Sequence, residues 1–328
     1  MIGPGSIAAP RKMRSVWLIA LLALAVALMA LPSPAKAATE TAFQSNAHDL
    51  WIAGPRDSNN LRLGMAPGTS PSIAALPSGG VIAAFQANTG DLWTAGPAGS
   101  NNLRLGMAPG TSPSIATTPS GDFEVAFQAN TNQLWTAGPA GSNNLGLGVA
   151  PGTSPSIAAL PSGGYLVAFQ ADTGDLWTIG PAGSNNLGLG MAAGTSPSVA
   201  VLPNGGVMVA FQANTGALWI AGPRDSNNLR LGMAPGASPS IATTPSGDFE
   251  VAFQANTNQL WTAGPAESES LRLGMAPGTS PSIAATPTSG FEIAFQANTG
   301  DLWTTGPAGS NNLRLGMAAG TSPSIAGL

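Results

Sequence analysis

Trp51, Trp93, Trp135, Trp177, Trp219, Trp261 and Trp303 stand 42 residues apart, and with Trp17 they are all the tryptophan in the 328-residue chain. Phe43, Phe85, Phe127, Phe169, Phe211, Phe253 and Phe295 keep the same step. So do seven Ser-Pro-Ser-(Ile/Val)-Ala segments, which begin at Ser70, Ser112, Ser154, Ser196, Ser238, Ser280 and Ser322. A unit of this size cannot bury a hydrophobic face alone, so copies must stack. A period of about 40 to 45 residues built from short strands is that of a propeller.

The unit from Ser70 to Thr111 reads as four extended segments: Ser70 to Leu76, Val81 to Ala87, Asp91 to Ala95 and Leu103 to Met107. Between them stand Pro77-Ser78-Gly79-Gly80, Asn88-Thr89-Gly90, and Gly96-Pro97 followed by a polar loop, Ala98 to Asn102; Pro109-Gly110 closes the unit. Turn residues bound every segment and none is long enough for a helix, so the 43 Gly and 29 Pro are punctuation. Four strands make one propeller blade. Val81, Ala83 and Phe85 share one face of their segment and Ile82 and Ala84 the other, the pattern of a sheet covered on both sides. A buried Trp removes about 150 to 250 Å² from water, at most roughly 4 to 6 kcal/mol, so the seven could anchor the blade junctions without disulfides. The chain has no Cys.

The repeat enters at Thr41-Ala42-Phe43-Gln44, a second strand, and stops with Ser322 to Leu328, a first strand. The expected fold is therefore all-β: a seven-bladed β-propeller of four-stranded blades over residues 38–328, with the N- and C-terminal strands paired in one blade to close the ring. A right-handed β-solenoid is the alternative, but it calls for polar caps that the ends lack. The units are near copies. Ile115 to Ala140 recurs unchanged as Ile241 to Ala266, and Ile52 to Gly68 as Ile220 to Gly236.

Residues 1–37 read as a secretory signal peptide: Arg11, Lys12 and Arg14, then the apolar run Val16 to Leu31, then the small-residue box Ala35-Lys36-Ala37. An uncleaved anchor is the rival reading. Cleavage predicts a secreted protein with no stable membrane insertion. Removing Arg11, Lys12, Arg14 and Lys36 leaves seven basic against 15 acidic side chains, a formal charge of −8. An acidic domain without basic clusters excludes phosphate-backbone binding, so nucleic acid is not an expected partner.

The chemistry for catalysis is missing from the units. His48 is the one His and falls in a turn where most units have Gly or Asn, which leaves no base for a nucleophilic triad; zinc ligand clusters are absent and no cofactor is expected. Asp91, Asp175 and Asp301 align with Gln133, Ala217 and Gln259, so no unit holds a distinctive acidic pair for glycoside hydrolysis. Asp122 with Glu124, and their copies Asp248 and Glu250, have i,i+2 spacing on a strand and read as an exposed rim. The expectation is a protein that is not an enzyme.

The string from Leu105-Gly106-Met107 to Ser112-Pro113-Ser114-Ile115, followed by Ala126-Phe127-Gln128-Ala129-Asn130-Thr131-Asn132-Gln133-Leu134-Trp135, resembles the blade pattern of seven-bladed propeller lectins of the Psathyrella velutina and Photorhabdus fucose-binding type. The resemblance spans all seven units. It implies small-sugar pockets around the propeller, commonly between neighbouring blades, and glycans or glycoconjugates as partners. Where those lectins carry a Trp before Leu-Gly-Gly, this chain has Leu103-Arg104.

A sugar pocket needs an aromatic face and a few placed hydrogen-bonding groups. The carbohydrate-binding candidates are Trp51, Trp93, Trp135, Trp177, Trp219, Trp261 and Trp303, then Gln86, Asn88, Asp91, Asn101 and Asn102 in the representative unit. Arg62, Arg104, Arg230, Arg272 and Arg314 join them in five units, and Gly146 and Gly188 replace Arg in the other two. For Trp a core role competes with the platform role, and for Gln86 and Asn88 ladder and turn hydrogen bonding does. These residues predict a secreted multivalent lectin. The alternative function is a non-catalytic adhesion or protein-interaction scaffold without a sugar site.

Overall fold

Turn chemistry divides each unit as the sequence predicts. The structure, a computed structural model, describes residues 39–54, 57–223, 225–286 and 290–328 together with Met1 and Gly3. The apolar run Val16 to Leu31 and the expected cleavage box lie outside the described residues. Among those described, no helix is long and apolar enough to cross a membrane.

Blade 2 is an antiparallel sheet of Ser72–Ala75, Val81–Gln86, Asp91–Gly96 and Gly99–Gly106, paired in sequence order. Its register sets Ile73 opposite Ala83, Phe85 opposite Trp93, and Trp93 opposite Asn102. Blades 3 to 7 repeat it at 42-residue steps, giving seven four-stranded sheets among the described residues. Blade 1 is the composite one. Its first strand is Ser324–Gly327, which pairs antiparallel with Thr39–Gln44, Thr41 opposite Ile325, before Asp49–Ala53 and Ser58–Gly64 complete the sheet. The two ends of the repeat thus share one blade and close the ring.

The fourth strand differs from expectation. It begins at Gly99, so the segment read as a polar loop is a two-residue turn, Pro97-Ala98, followed by strand. Ser and Asn are poor strand formers, but here they occupy an outer edge strand that solvent bathes, where burial makes no demand on them. That strand is interrupted once. After Asn102 the backbone leaves the ladder and rejoins it at Gly106 opposite Asp91, with Arg104 at φ 56°. The bulge breaks the outer edge, a device that blunts pairing between molecules.

The Ser-Pro-Ser-Ile segment explains the inner edge. The second serine of each blade accepts a hydrogen bond from the Ile or Val N–H of the next blade, as from Ile115 N to Ser72 Oγ (3.1 Å), and Ile73 N to Ser324 Oγ closes the circle. The first serine makes a second circle in the opposite sense: Ser70 N donates to Ser112 Oγ (2.9 Å), and so on until Ser322 N reaches Ser70 Oγ. Pro between them has no N–H to satisfy. The edge of each inner strand, which would otherwise carry orphaned donors, is bonded to its neighbours all the way round.

Between blades lie seven apolar clusters, one per junction. At the junction of blades 1 and 2, Ala42 and Leu50 meet Ile73, Val81, Ala83 and Phe85, with Leu61, Leu63 and Trp93 at the margin. Phe85 is 1% exposed, and its ring lies 6.4 Å from that of Trp93 at 39°. The same tilted Phe–Trp pair recurs in every blade.

Candidate functional site

The antiparallel register brings four of the candidate side chains to one place. Trp93 and Asn102 are cross-strand partners and so share a face, on which Asp91 also lies. Asn102 uses both ends of its amide: Nδ2 donates to Asp91 Oδ2 at 3.2 Å, and Oδ1 accepts from Arg104 N at 2.7 Å. Thr89 Oγ1 donates to the same Asp91 oxygen at 3.3 Å. Six blades therefore carry a rim cluster of Trp, a side-chain acceptor, its donor on the fourth strand and the bulge residue. The donor is Ser270 instead of Asn in blade 6, and blade 5 has Ala217 where the acceptor would stand. Blade 1 repeats it with Asp49, Trp51, Asn60 and Arg62, and blade 7 with Asp301, Trp303, Asn312 and Arg314.

The indoles of Trp51, Trp93, Trp135, Trp177, Trp219, Trp261 and Trp303 are half-buried, one side on Phe and on the leucines of the preceding blade. In blades 2 to 7 the indole N–H is buried and unbonded, so the exposed part of each residue offers solvent no donor. Arg62, Arg104, Arg230, Arg272 and Arg314 are exposed at φ 55° to 59°, and among the described residues no ion pair holds their guanidinium groups. Gly146 and Gly188 take the same left-handed backbone in blades 3 and 4, at φ 69° and 65°.

Other candidates are placed elsewhere. Gln86 is 1% exposed, and its Nε2 donates to the carbonyls of Met107 and Ala108 in the crossover to blade 3, at 3.3 and 3.2 Å. The other six glutamines of this series make the same kind of bond. Asn88 is exposed, but its N–H donates to Gly64 O of the preceding blade at 3.1 Å, and a methyl group on Gly64 would stand 2.7 Å from Asn88 Nδ2. Leu-Gly precedes each crossover because the next blade's turn rests there. Asn101 faces away from Trp93; its counterparts Asn59 and Asn185 line grooves between blades.

The resemblance implied pockets between neighbouring blades, and such grooves exist, but most of their lining was not among the candidate residues. One of about 430 Å³ lies between blades 1 and 2, with Glu40, Ile52, Asn59 and Leu61 facing Val81 and Pro97. Its counterpart between blades 4 and 5, about 340 Å³, has Leu166, Thr178, Asn185 and Leu187 facing Val207 and Pro223. A third cavity, about 490 Å³, joins Asp122 and Glu124 of blade 3 to Tyr165 of blade 4. All open on the face that carries the turns after the first and third strands. The glutamine and asparagine contacts lie at the other end of the strands, by the turns after the second strand.

The exposed-rim reading of the acidic pairs needs correction. Asp122 is exposed, but Glu124 is half-buried and its carboxyl lies over Gly138, which leaves room for it by having no side chain. Burial raises the pKa of Glu124 above 4.5, partly offset by a hydrogen bond with Thr136. Glu250 is raised for the same reason, with Thr262 opposing and Glu267 and Glu269 adding to the rise. Burial, then Asp57, raises Glu40. The signal was present: glutamate recurs here in four units, while Ile82, Leu166 and Met208 fill the position in three.

No protein-family model and no curated protein matches the sequence. Solved structures do match the fold. The lectin of Aleuria aurantia, described as a six-bladed β-propeller with its own mode of fucose recognition, superposes with a TM-score of 0.56 at 13% identity over 76% of this chain and 95% of its own. SapL1 lectin, solved with α-methyl fucoside, gives 0.54 at 15% identity over 78% and 98%. Virginiamycin B lyase from Staphylococcus aureus gives 0.54 at 13% identity over 80% and 96%. At these identities the likeness is one of fold: the chain is a closed β-propeller, in an architecture that both lectins and a lyase use.

Proposed function

We propose that this protein is a secreted, multivalent carbohydrate-binding protein whose rim clusters are the sugar sites. The observation that carries the reading is a half-exposed indole on all seven rims, beside an Asp or Gln held by an Asn or Ser in six of them, with an unpaired Arg next to it in five. An indole that shows no N–H to solvent suits the C–H face of a sugar, and the amide, carboxylate and guanidinium groups supply directional partners for hydroxyls. Two of the structurally similar proteins were solved or described with fucosides, which makes α-methyl fucoside the first ligand to try. The seven-bladed lectin type named by the sequence resemblance remains the subtype we favour.

A glycan array followed by calorimetry tests the reading. A sugar bound at millimolar concentration or better is expected, and binding by none would sink it. A variant with Arg62, Arg104, Arg230, Arg272 and Arg314 all changed to Gly should keep its fold, because Gly already stands there in blades 3 and 4, yet lose affinity. The scaffold alternative predicts capture of a partner that deglycosylation and free sugar leave unchanged.

A further inference from the structure

Six of the seven rims have a side-chain acceptor at the start of the third strand, and each acceptor is held by the fourth strand. Asp49, Asp91, Asp175 and Asp301 accept from Asn60, Asn102, Asn186 and Asn312 at 3.1 to 3.3 Å. Gln133 accepts from Asn144, and Gln259 from Ser270. In blades 2, 4 and 7 the turn threonine, Thr89, Thr173 or Thr299, donates to the same carboxylate. Blade 5 has Ala217 instead. The two groups that hold the carboxylate elsewhere are still there, Thr215 in the turn and Asn228 opposite Trp219, and Arg230 stands beside them in the bulge. Asn228 Oδ1 still accepts from Arg230 N at 2.7 Å, which fixes the amide so that Nδ2 is the free end. Neither Asn228 Nδ2, Thr215 Oγ1 nor the Arg230 guanidinium has a partner among the described residues.

We propose that the rim of blade 5 is an oxyanion site, selective for a sugar that carries a carboxylate or sulfate group. The inference rests on the carbohydrate reading of the rims and gives one of them its own ligand class. The ligand's oxyanion takes the place of the missing aspartate side chain, accepting from Asn228 Nδ2 and Thr215 Oγ1, while the half-exposed Trp219 ring supports the sugar. Hydrogen bonds to an ionised acceptor are the stronger ones, and Arg230 supplies positive potential with no carboxylate in the cluster to cancel it. Blade 4 is the counter-example built into the same molecule. It has Asp175 in place and Gly188 where Arg would stand, so its rim disfavours an anion.

The test is a titration of the protein with methyl glucuronide, a 6-sulfated methyl glucoside, neutral methyl glucoside and acetate. The two anionic sugars should bind one site at least about tenfold more tightly than the neutral sugar or acetate. Ala217→Asp, the residue of blades 1, 2, 4 and 7, should abolish that preference without a change in melting temperature. Ala217→Gln, the residue of blades 3 and 6, should do so without adding charge, and Arg230→Gly should weaken it several-fold. An anionic preference that survives Ala217→Asp and Ala217→Gln overturns the proposal, as does acetate binding equal to that of the glucuronide. Neutral sugar bound as tightly as the glucuronide ends the proposal but spares the lectin reading. If no sugar of either kind binds, the oxyanion proposal falls, and the lectin reading falls with it only if the glycan array also shows no binding.

Discussion

Glu124 and Glu250 are each held half-buried against a threonine, and burial makes their ionised forms the costly ones. A carboxyl whose folded pKa is raised binds its proton more tightly in the folded chain than in the unfolded one. Its ionisation therefore costs stability at neutral pH, and the cost fades as pH falls through the raised value toward 4.5 and below. Glu124→Gln, which keeps an acceptor for Thr136, should melt higher than the parent at pH 7 and match it at pH 4. A gap that is constant with pH would show that burial does not disfavour the charge. Single residues also mark where the sequence stopped being informative. His48 was legible as a turn residue, and it sits at φ 61° where Gly90 and Asn132 stand at 86° and 59°. Gln86 was not legible as a fastener, because its partners, Met107 and Ala108, belong to the crossover into the next blade and no local pattern reveals them.

At the level of the strand, the alternation in Val81 to Phe85 and the turn residues made all four strands readable, but the Asn-rich start of the fourth, Gly99 to Asn102, read as a loop because an edge strand need not look like a buried one. The first strand carries the most consequence. Ser324–Gly327 gives blade 1 its inner strand, buries Ile325, and contributes Ser324 to one serine circle, while Ser322 belongs to the other. A chain ending at Thr321 leaves Thr39 to Ala42 as an open edge, which invites strand exchange between molecules. It should melt several degrees lower or form oligomers, in keeping with a loss on the order of 2 kcal/mol or more. An unchanged monomer with unchanged melting would remove ring closure as a source of stability. Ser324→Ala is the milder version. It deletes the hydrogen bond to Ile73 N and should cost about 0.5 to 1.5 kcal/mol by denaturant unfolding.

For the whole molecule, counting tryptophans was enough to number the blades, because each one marks a junction of the ring. The candidate surface was only partly legible. Trp93, Asp91, Asn102 and Arg104 gather at a rim through the register of two strands, whereas the grooves with Glu40 and Glu124 exist only where two blades meet. The closed ring also sets the distribution of sites. The five arginines fall on blades 5, 6, 7, 1 and 2, which are consecutive around the circle, and the glycines fall on the adjoining blades 3 and 4. On the proposed function, each partly exposed rim would bind a single sugar weakly and strength would come from several engaging one surface at once. The decisive measurement compares the dissociation constant for a free monosaccharide with that for a sensor surface densely coated with the same sugar. Retention on the coated surface should be about 10² to 10⁴ times tighter. Equal constants would contradict a multivalent ring of rim sites, and so would binding to neither.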